Sequence, residues 1–400
     1  MSEKKVPELR FKGYTEDWEQ RKLTDVANYR NGKAHEQDID KEGQYIVVNS
    51  KFVSTNGLVK KYSNVLIEPL QAGEIAFVLS DVPNGKAIAR TFLINENNKY
   101  SLNQRIAGIT PHTKADSYFL SILMNRNNYF LKYDNGVGQT NLSKYEVENF
   151  TEHYPVYEEQ VKIGSFFKQV DDTIALHQEK LEKLKQLKKA YLQVMFPQKG
   201  EKTPQLRFAN FFQDWKQRKL GEVAYIIGGG TPSTKNNEFW NGDIDWYSPT
   251  EIGVQRYLNG SQKKITNLGL QKSSAKLLPV GTILFTSRAG IGNTAILEKE
   301  GATNQGFQSI VPKKEKLDSY FIYSKTDELK KYGEITGAGS TFIEVSGKQM
   351  AKMPLLLPLI NEQSKIATLF KELDNTITLQ KEKIYALQEL KNVYLQKIFV

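Results

Sequence analysis

The sequence predicts an α/β protein in which two mixed α/β domains are joined by two long helices that pair as a coiled coil. Three observations predict this class. The two halves of the 400-residue chain repeat at their beginnings and at their ends, which indicates a tandem duplication. The repeated closing segments have the apolar spacing of long helices. The segments between them carry short β-type runs broken by glycine, asparagine and proline.

The opening segments of the two halves match closely. Residues 7–27 and 204–224 are identical at 12 of 21 positions with an offset of 197. Trp18 and Trp215 recur in this way. We expect both to be core anchors, because a residue that both copies share belongs to the scaffold rather than to the specificity of one copy.

The closing segments match over a greater length. Residues 155–196 and 358–399 are identical at 20 of 42 positions with an offset of 203. The two offsets differ by six, so the middle of the second half is six residues longer. The expected division of the chain is two globular domains, each followed by a helix: 1–154, 155–200, 201–357 and 358–400.

Each closing segment has a heptad pattern. Apolar residues alternate three and four apart from Ile163 to Tyr191, and the second copy repeats them from Ile366 to Tyr394. A 3.5-residue repeat sustained over four heptads favours a coiled coil between the two helices. The alternative is an amphipathic helix that packs only on its own domain.

One polar residue interrupts each apolar seam, His177 in the first helix and Gln380 in the second. We expect the two to face each other as a polar layer that fixes the register. The alternative is that both side chains lean into solvent. The residues expected to set the register are Ile174, His177, Leu181, Ile377, Gln380 and Ile384.

The composition favours a polyanion as the partner. The formal net charge is +10, and nucleic acid is the commonest polyanion that such an excess attracts. The chain has no cysteine, which excludes disulfides and thiolate chemistry and fits the cytoplasm. No run of eighteen apolar residues occurs, so we expect no membrane span.

Motifs for catalysis are missing from the sequence. An adenine methyltransferase needs a Pro-Pro dipeptide to hold the flipped base, and no Pro-Pro occurs. The four histidines are far apart and none has the spacing of a metal site. The glycines at 228–230 are not followed by the Gly-Lys-Ser/Thr of a phosphate loop. We therefore expect no catalytic residue and no metal in this chain.

Four local motifs carry a family resemblance: Gly-Gly-Thr-Pro-Ser at 229–233, Trp-x-Gly-Asp-Ile-Asp-Trp at 240–246, and Pro-x-x-x-Glu-Gln-x-Lys-Ile at 155–163 and 358–366. With these motifs and its duplicated organisation, the chain resembles the specificity subunit of type I restriction–modification systems over essentially its whole length. The first half departs from the pattern, since it has Arg30-Asn-Gly-Lys33 where the second has the Gly-Gly-Thr-Pro loop.

The resemblance implies two target recognition domains, each reading one part of a split, asymmetric sequence in double-stranded DNA. It implies that the helices pair antiparallel with pseudo-twofold symmetry, as a spacer and as the dock for two modification subunits. S-adenosylmethionine, ATP and Mg would belong to the modification and restriction subunits, and no cofactor to this chain. Two alternatives stay open: a DNA-reading subunit of another restriction class, and a coiled-coil adaptor that binds no DNA.

The candidate DNA-binding residues are those that can reach phosphates or base edges from loops. Arg288 is the strongest candidate, because it follows a strand-like run and precedes a glycine-rich turn. The shared pairs Asn103-Gln104 and Asn304-Gln305 are expected to be scaffold, although Gln305 is kept as a candidate. The full set is Lys33, Lys51, Lys60, Lys61, Lys86, Arg90, Arg105, Lys235, Arg256, Lys263, Lys264, Arg288 and Gln305.

Overall fold

The computed structural model describes residues 6–82, 85–134, 136–253, 255–288, 290–337 and 344–399. The chain divides into two compact units. The first unit combines Met1–Gln178 with Glu382–Val400, and the second is Glu179–Lys381. The motif Gly-x-Gly-x-Thr occurs at 136–140 and again at 337–341, and the second copy lies largely outside the described residues.

The first unit contains eleven of the described strands and six helices, of which the last continues into the second unit. The strands are β1 (Glu19–Lys22), β2 (Ala27–Asn31), β3 (Tyr45–Val48), β4 (Tyr62–Ser63), β5 (Ile75–Val78), β6 (Ser80–Asp81), β7 (Thr91–Leu93), β8 (Tyr100–Leu102), β9 (Ile106–Pro111), β10 (Thr140–Asn141) and β11 (Thr151–Tyr154). The helices are α1 (Leu23–Val26), α2 (Ser50–Ser54), α3 (Ser117–Met124), α4 (Asn128–Leu131), α5 (Lys144–Glu148) and α6 (Tyr157–Val194).

The second unit repeats this order with ten described strands. They are β12 (Lys216–Lys219), β13 (Ala224–Gly228), β14 (Trp240–Tyr247), β15 (Tyr257–Leu258), β16 (Lys263–Ile265), β17 (Ile283–Phe285), β18 (Thr294–Leu297), β19 (Gly301–Thr303), β20 (Gln308–Pro312) and β21 (Pro354–Leu357). The helices are α7 (Leu220–Val223), α8 (Asn267–Gln271), α9 (Ser319–Ser324), α10 (Thr326–Gly337), α11 (Gly347–Ala351) and α12 (Ile360–Ile398), with short 3-10 helices at Asn237–Phe239 and Pro249–Glu251.

Each unit is built on two main sheets. The first unit has a four-stranded sheet in the order β2-β9-β5-β7 and a three-stranded sheet in the order β4-β3-β8. The second unit has the corresponding sheets β13-β20-β17-β18, extended by β15, and β16-β14-β19. In both units the three-stranded sheet contains one parallel pair, β3 with β8 and β14 with β19.

The central strand of the larger sheet separates two apolar clusters. In β5, Ile75 and Phe77 belong to one cluster, and Ala76 and Val78 belong to the other. Successive side chains of a strand point to opposite faces, so a continuous apolar run is what a strand buried on both faces requires. The strand β17 repeats the arrangement in the second unit.

The two long helices pair antiparallel within each unit. In the first unit, Phe166 and Tyr394 are in ring contact at 5.0 Å, and Asp171 lies 2.6 Å from Lys391. From the first contact to the second, the residue number rises in α6 and falls in α12, so the two helices run in opposite directions. In the second unit, Lys188 lies 2.6 Å from Asp374 and, further along α6, Phe196 contacts Phe370.

The last aromatic residue after each long helix enters a core. Phe399 contacts Trp18 and Phe119 in the first unit, with ring centroids 6.3 Å and 5.5 Å apart. Phe196 makes the equivalent contacts with Trp215 and Phe321 in the second unit. Trp18 and Trp215 are 1% and 2% exposed, so the prediction that they are core anchors is confirmed.

The helices pack on the domains as well as on each other. Ile163 and Phe167 lie in the core of the first unit, and Ile366 and Phe370 in that of the second. The alternative in which each helix packs only on its own domain is therefore wrong.

The seam residues predicted to set the register differ in exposure. Ile174, Ile377, Ile384 and Gln380 are buried, whereas His177 and Leu181 are half-buried. Gln380 is 7% exposed, so the alternative in which it leans into solvent is wrong. His177 belongs to the first unit and Gln380 to the second, and their meeting as a polar layer stays a prediction.

Candidate nucleic-acid interface

The recurring Pro-x-x-x-Glu-Gln motif holds the opening segment of each half on its long helix. Glu159 is fully buried and accepts two hydrogen bonds from Arg10, both 2.8 Å long. Glu362 accepts the same pair from Arg207 at 2.6 Å and 2.7 Å. A buried carboxylate needs such a bidentate partner to offset the loss of its hydration.

The glutamine of the same motif satisfies backbone groups of its unit. The side chain of Gln160 donates to the carbonyl oxygen of Pro155 at 2.9 Å and accepts from the backbone N–H of Asp116 at 3.2 Å. Gln363 makes the equivalent bonds with Pro358 and Asp318. The motif therefore belongs to the scaffold and fixes the start of each helix against the domain.

A second duplicated network lies on the helix pair. In the first unit, Tyr118 donates to Asp171 at 2.8 Å, and Lys391 also binds this carboxylate. Burial and the nearby Asp171 carboxylate raise the pKa of Tyr118, which keeps the phenol neutral as a donor.

The equivalent network in the second unit has an additional cation. Tyr320 donates to Asp374 at 2.7 Å, and Lys188 binds the same carboxylate. Arg256 approaches it to 3.8 Å and donates to the Tyr320 oxygen at 2.9 Å. Arg256 also donates to Asn375 at 2.8 Å. This candidate DNA-binding residue is thus held inside its unit.

A pair of loops meets at the same end of the larger sheet in both units. Val78 pairs with Ile106 as the last pair of strands β5 and β9, and the next backbone bond runs from Leu79 N–H to the Arg105 carbonyl at 3.1 Å. We call this region the strand-end joint, which comprises residues 79–81 and 103–105 in the first unit.

The strand-end joint of the second unit comprises residues 287–288 and 304–306. Thr286 pairs with Phe307 there, and Ser287 N–H donates to the Gly306 carbonyl at 2.8 Å. The joints correspond bond for bond, so Arg105 in the first unit and Gly306 in the second occupy equivalent positions.

The loop after the first strand of each larger sheet passes directly over the joint. A methyl group at Gly32 would overlap the carbonyl oxygen of Asn103, and one at Gly229 would overlap that of Asn304. Only glycine permits so close an approach of two backbones. The first half lacks the Gly-Gly-Thr-Pro motif, but Gly32 does what Gly229 does in the second half.

In the first unit the candidate residues fall into several groups. Arg105 is exposed at the joint, and Lys51 is close to it, because the neighbouring Ser50 side chain donates to the Ser80 carbonyl at 3.3 Å. Lys33 is exposed and binds Glu68 at 2.9 Å. The joint therefore brings together only some of the candidates.

Two candidates of the first unit lie elsewhere. Arg90 lines a separate open cavity of about 910 Å³ together with Arg126. Burial and the nearby Arg126 charge lower the pKa of Arg90. Lys86 is exposed and its carbonyl oxygen accepts from the Arg90 side chain.

In the second unit the joint holds the strongest candidate. Arg288 is half-buried there, and Gln305 is exposed beside it. The Gln305 side chain accepts a hydrogen bond from Thr231 in the covering loop. Lys235 is exposed further along that loop, and Lys264 lies on β16, 3.5 Å from Asp245.

The structure shows that two candidate lysines occupy equivalent positions in the two units, although the repeats of the sequence do not align them. Lys263 lies beside Trp246, which pairs on its other side with Ala302. Val47 N–H donates to the Lys61 carbonyl at 2.9 Å, and Val47 pairs on its other side with Ser101. Lys61 and Lys263 are therefore equivalent positions at the edge of the smaller sheets, Lys263 on β16 and Lys61 directly before β4. The exposed Lys60 precedes Lys61.

Sequence reasoning missed several polar side chains at the first joint. Gln139 donates to the Ser80 hydroxyl at 2.7 Å, and Asn141 pairs with Ser80 in the short sheet of β6 and β10. Their signal was the recurring Gly-x-Gly-x-Thr motif at 136–140, which contains Gln139 and directly precedes Asn141.

Within the described ranges, no group of three or more His, Asp or Glu side chains could hold a metal ion. No helix in this part of the chain has the length and apolarity to cross a membrane.

The sequence model of the family described as "Type I restriction modification DNA specificity domain" matches residues 15–186 and 213–389. The chain belongs to this family. The two matched ranges are the two halves of the duplication, which confirms the predicted family and the predicted specificity-subunit function.

Relatives of this specificity subunit match it over part or most of their length. The type I restriction enzyme MjaIX specificity subunit of Methanocaldococcus jannaschii is 35% identical over 181 residues, which cover 44% of this chain and 42% of that protein. The putative MjaX specificity subunit of the same organism is 24% identical over 397 residues, covering 94% of this chain and 91% of the relative.

A solved structure shares the fold. The S subunit of the type I restriction–modification system of M. genitalium superimposes with a TM-score of 0.67, 14% identity and 99% coverage of both chains. The predicted fold class, two mixed α/β domains joined by two long helices, is confirmed. The relatives support the specificity subunit and neither alternative, the other restriction class or the adaptor.

Proposed function

We propose that each unit reads one half of a split, asymmetric sequence in double-stranded DNA through its strand-end joint and the loops around it. One observation carries this proposal. The contacts of the scaffold repeat residue by residue, as Arg10–Glu159 and Arg207–Glu362 do. The residues at equivalent positions of the joints differ instead, since Arg105 is exposed in the first unit and its counterpart in the second is the buried Gly306. Equal scaffolds with different readers are what two unlike half-sites require.

The long helices carry recurring apolar side chains that are exposed and do not belong to the heptad seam. Leu176 and Leu379 stand at the same position of the repeat, and each is 65% exposed. Leu187 and Leu390 form a second such pair, at 41% and 46%. Equivalent exposed apolar positions fit two copies of one partner, and we assign them to the modification subunits.

The chain itself contributes recognition and no catalysis in this proposal. S-adenosylmethionine, ATP and Mg are held by the modification and restriction subunits. The modification subunits dock on the helices, and the restriction subunits join through the complex, in the cytoplasm. The two helices set the length of the spacer between the half-sites.

Exchange of one reader tests the proposal. Residues 225–357 are replaced by the second reader of another family member, and the methylated motif is determined by methylome sequencing of cells with the parent, the exchange variant or no subunit. We expect one half-site to change and the other to stay. A change in both halves, or a motif that persists without the gene, would contradict the proposal.

Docking is tested separately on the helices. Leu176→Glu and Leu379→Glu should each remove one modification subunit from the complex, as measured by native mass spectrometry of the co-purified proteins. Lys183→Glu, at an exposed polar position on the same helix as Leu176, is the control and should keep both. Retention of both copies by the two leucine variants would exclude this face as the dock.

A further inference from the structure

The two strand-end joints each present one arginine, but from opposite strands. In the first unit it is Arg105, on the segment that leads into β9. In the second unit the equivalent position is Gly306, and the arginine is Arg288, which follows β17 on the facing segment. The position equivalent to Arg288 in the first unit is Ser80.

Packing at the second joint places the guanidinium of Arg288 beside the position that is equivalent to Arg105. A Cβ at Gly306 would lie 3.6 Å from Nε of Arg288 and 2.9 Å from Cγ of Pro249. Arg288 therefore folds over the position from which a side chain at 306 would leave the backbone. In the first unit that is the place where the Arg105 side chain begins.

The residue facing each arginine is small or already held. Gly306 has no side chain, and Ser80 is 5% exposed with its hydroxyl bound to Gln139. Each joint thus presents one guanidinium, and the residue that faces it carries no competing charge. Both joints therefore keep one arginine, although it comes from a different strand in each unit.

Neither guanidinium is used inside its unit. Among the described residues, the side chains of Arg105 and Arg288 make no hydrogen bond and no ion pair, unlike Arg10, Arg207 and Arg256. The guanidinium fork matches the O6 and N7 acceptors of guanine in the major groove.

We propose that Arg105 and Arg288 are equivalent specificity-determining residues, each reading one guanine in the half-site of its own unit. This rests on the proposed function, since it requires that the joints face DNA. The inference explains why aligned positions of the two readers do not carry aligned arginines.

The test uses the full chain with its modification subunits and a DNA library in which both half-sites are randomised. Arg105→Ala should reduce the preference for guanine at one position of the first half-site, on the order of 10-fold to 100-fold. Arg288→Ala should do the same at one position of the second half-site.

Lysine variants separate base reading from phosphate binding. Arg105→Lys and Arg288→Lys keep the charge but lose the planar fork, so we expect the salt dependence of binding to stay while the guanine preference falls. Lys61→Ala and Lys263→Ala are controls that should leave every base preference unchanged.

The outcomes distinguish this inference from the proposed function. If the parent complex selects a split motif but the alanine variants weaken all sequences equally, the two arginines bind phosphates and the inference is overturned. If the parent selects no split motif, the proposed function itself fails. Thermal unfolding of each variant shows whether the fold is retained, and a folded variant with an unchanged guanine preference also overturns the inference.

Discussion

Lys391 contacts both carboxylate oxygens of Asp171, at 2.6 Å and 2.7 Å, and thereby connects the C-terminal half of α12 to the N-terminal half of α6. The pair recurs as Lys188 and Asp374 at 2.6 Å. The aspartate of each pair also accepts from one tyrosine of its unit, Asp171 from Tyr118 and Asp374 from Tyr320. Three elements therefore meet at one carboxylate in each unit. These partly buried networks hold each reader on the helix pair.

The first prediction compares the two networks. Lys391→Met keeps the aliphatic stem and removes the charge, so Asp171 retains only Tyr118 as a partner in its network. We expect a loss of about 1 kcal/mol in the stability of the first unit. Lys188→Met should cost less, because Arg256 lies 3.8 Å from Asp374 and still offsets its charge.

Hydrogen exchange measured by mass spectrometry resolves the two units in the full chain. The expected result is faster exchange in α3 for Lys391→Met than in α9 for Lys188→Met. Adding Arg256→Met to Lys188→Met should remove the difference. Equal effects of the two single lysine variants would show that Arg256 does not support Asp374.

A second prediction concerns the buried carboxylate of Glu159. Arg10→Met leaves this fully buried side chain without its cation, which should cost about 3–5 kcal/mol. The double variant Arg10→Met with Glu159→Met removes both charges and should recover most of that loss. Lys168→Met breaks an exposed pair with Asp172 on the same helix and should cost no more than about 0.5 kcal/mol.

Urea unfolding of the purified chain gives these differences. The order of stability, with the double variant above Arg10→Met, is the decisive result. A double variant as unstable as the single one would mean that packing of the arginine stem, and not its charge, stabilises the opening segment.

Much of the fold could be predicted from the sequence because the two copies of the duplication can be compared with each other. The shared Trp18 and Trp215 are buried, and the heptads of the closing segments are the paired helices. The splitting of both helices between two units was not predictable. It depends on Phe196 and Phe399 entering the cores, and nothing in a heptad pattern shows where a helix end docks.

The interface was less predictable, because loops with different sequences can build the same geometry. Lys61 and Lys263 occupy equivalent positions at the edge of the smaller sheets, but they are separated by 202 residues, which matches neither offset of the duplication. Arg256 has a side chain that is typical of DNA contacts, but it binds Tyr320 and Asp374 inside its unit, and these partners lie far away in the sequence. Side-chain partners of this kind leave no periodic signal.

The third prediction tests the glycines that cover the joints. Gly32→Ala and Gly229→Ala each place a methyl group against a backbone carbonyl that cannot move aside, the first on Asn103 and the second on Asn304. Each substitution should destabilise its unit by about 1–3 kcal/mol. The damage should also appear in DNA selectivity, because the covering loop would be displaced from the joint.

Matched controls exist in each unit. A Cβ at Gly138 or at Gly260 would meet no atom within 4 Å, so alanine there should leave the melting temperature nearly unchanged. Thermal unfolding of all four variants is the measurement. If Gly32→Ala were as stable as Gly138→Ala, the close backbone approach in the first unit would be wrong.

The last prediction concerns Lys61 and Lys263, the equivalent lysines at the edge of the two smaller sheets. Trp246 pairs with both Lys263 and Ala302, so Lys263 is two strands, about 10 Å, from a residue that leads into the second joint. A phosphate of a duplex read at the joint lies within reach of such a side chain. Each lysine that neutralises a phosphate contributes about 0.9 to the slope of log K against log salt. Lys61→Ala and Lys263→Ala should therefore each lower this slope by about one and weaken all sequences alike.

Lys264→Ala should lower it less, because Asp245 lies 3.5 Å away and already compensates part of that charge. Lys263→Arg keeps the charge and should restore the slope. Titrations of a specific and an unrelated duplex between about 50 and 200 mM salt decide the matter. A slope that is unchanged in Lys61→Ala and lowered in Lys263→Ala would mean that only the second unit binds DNA along its edge strand.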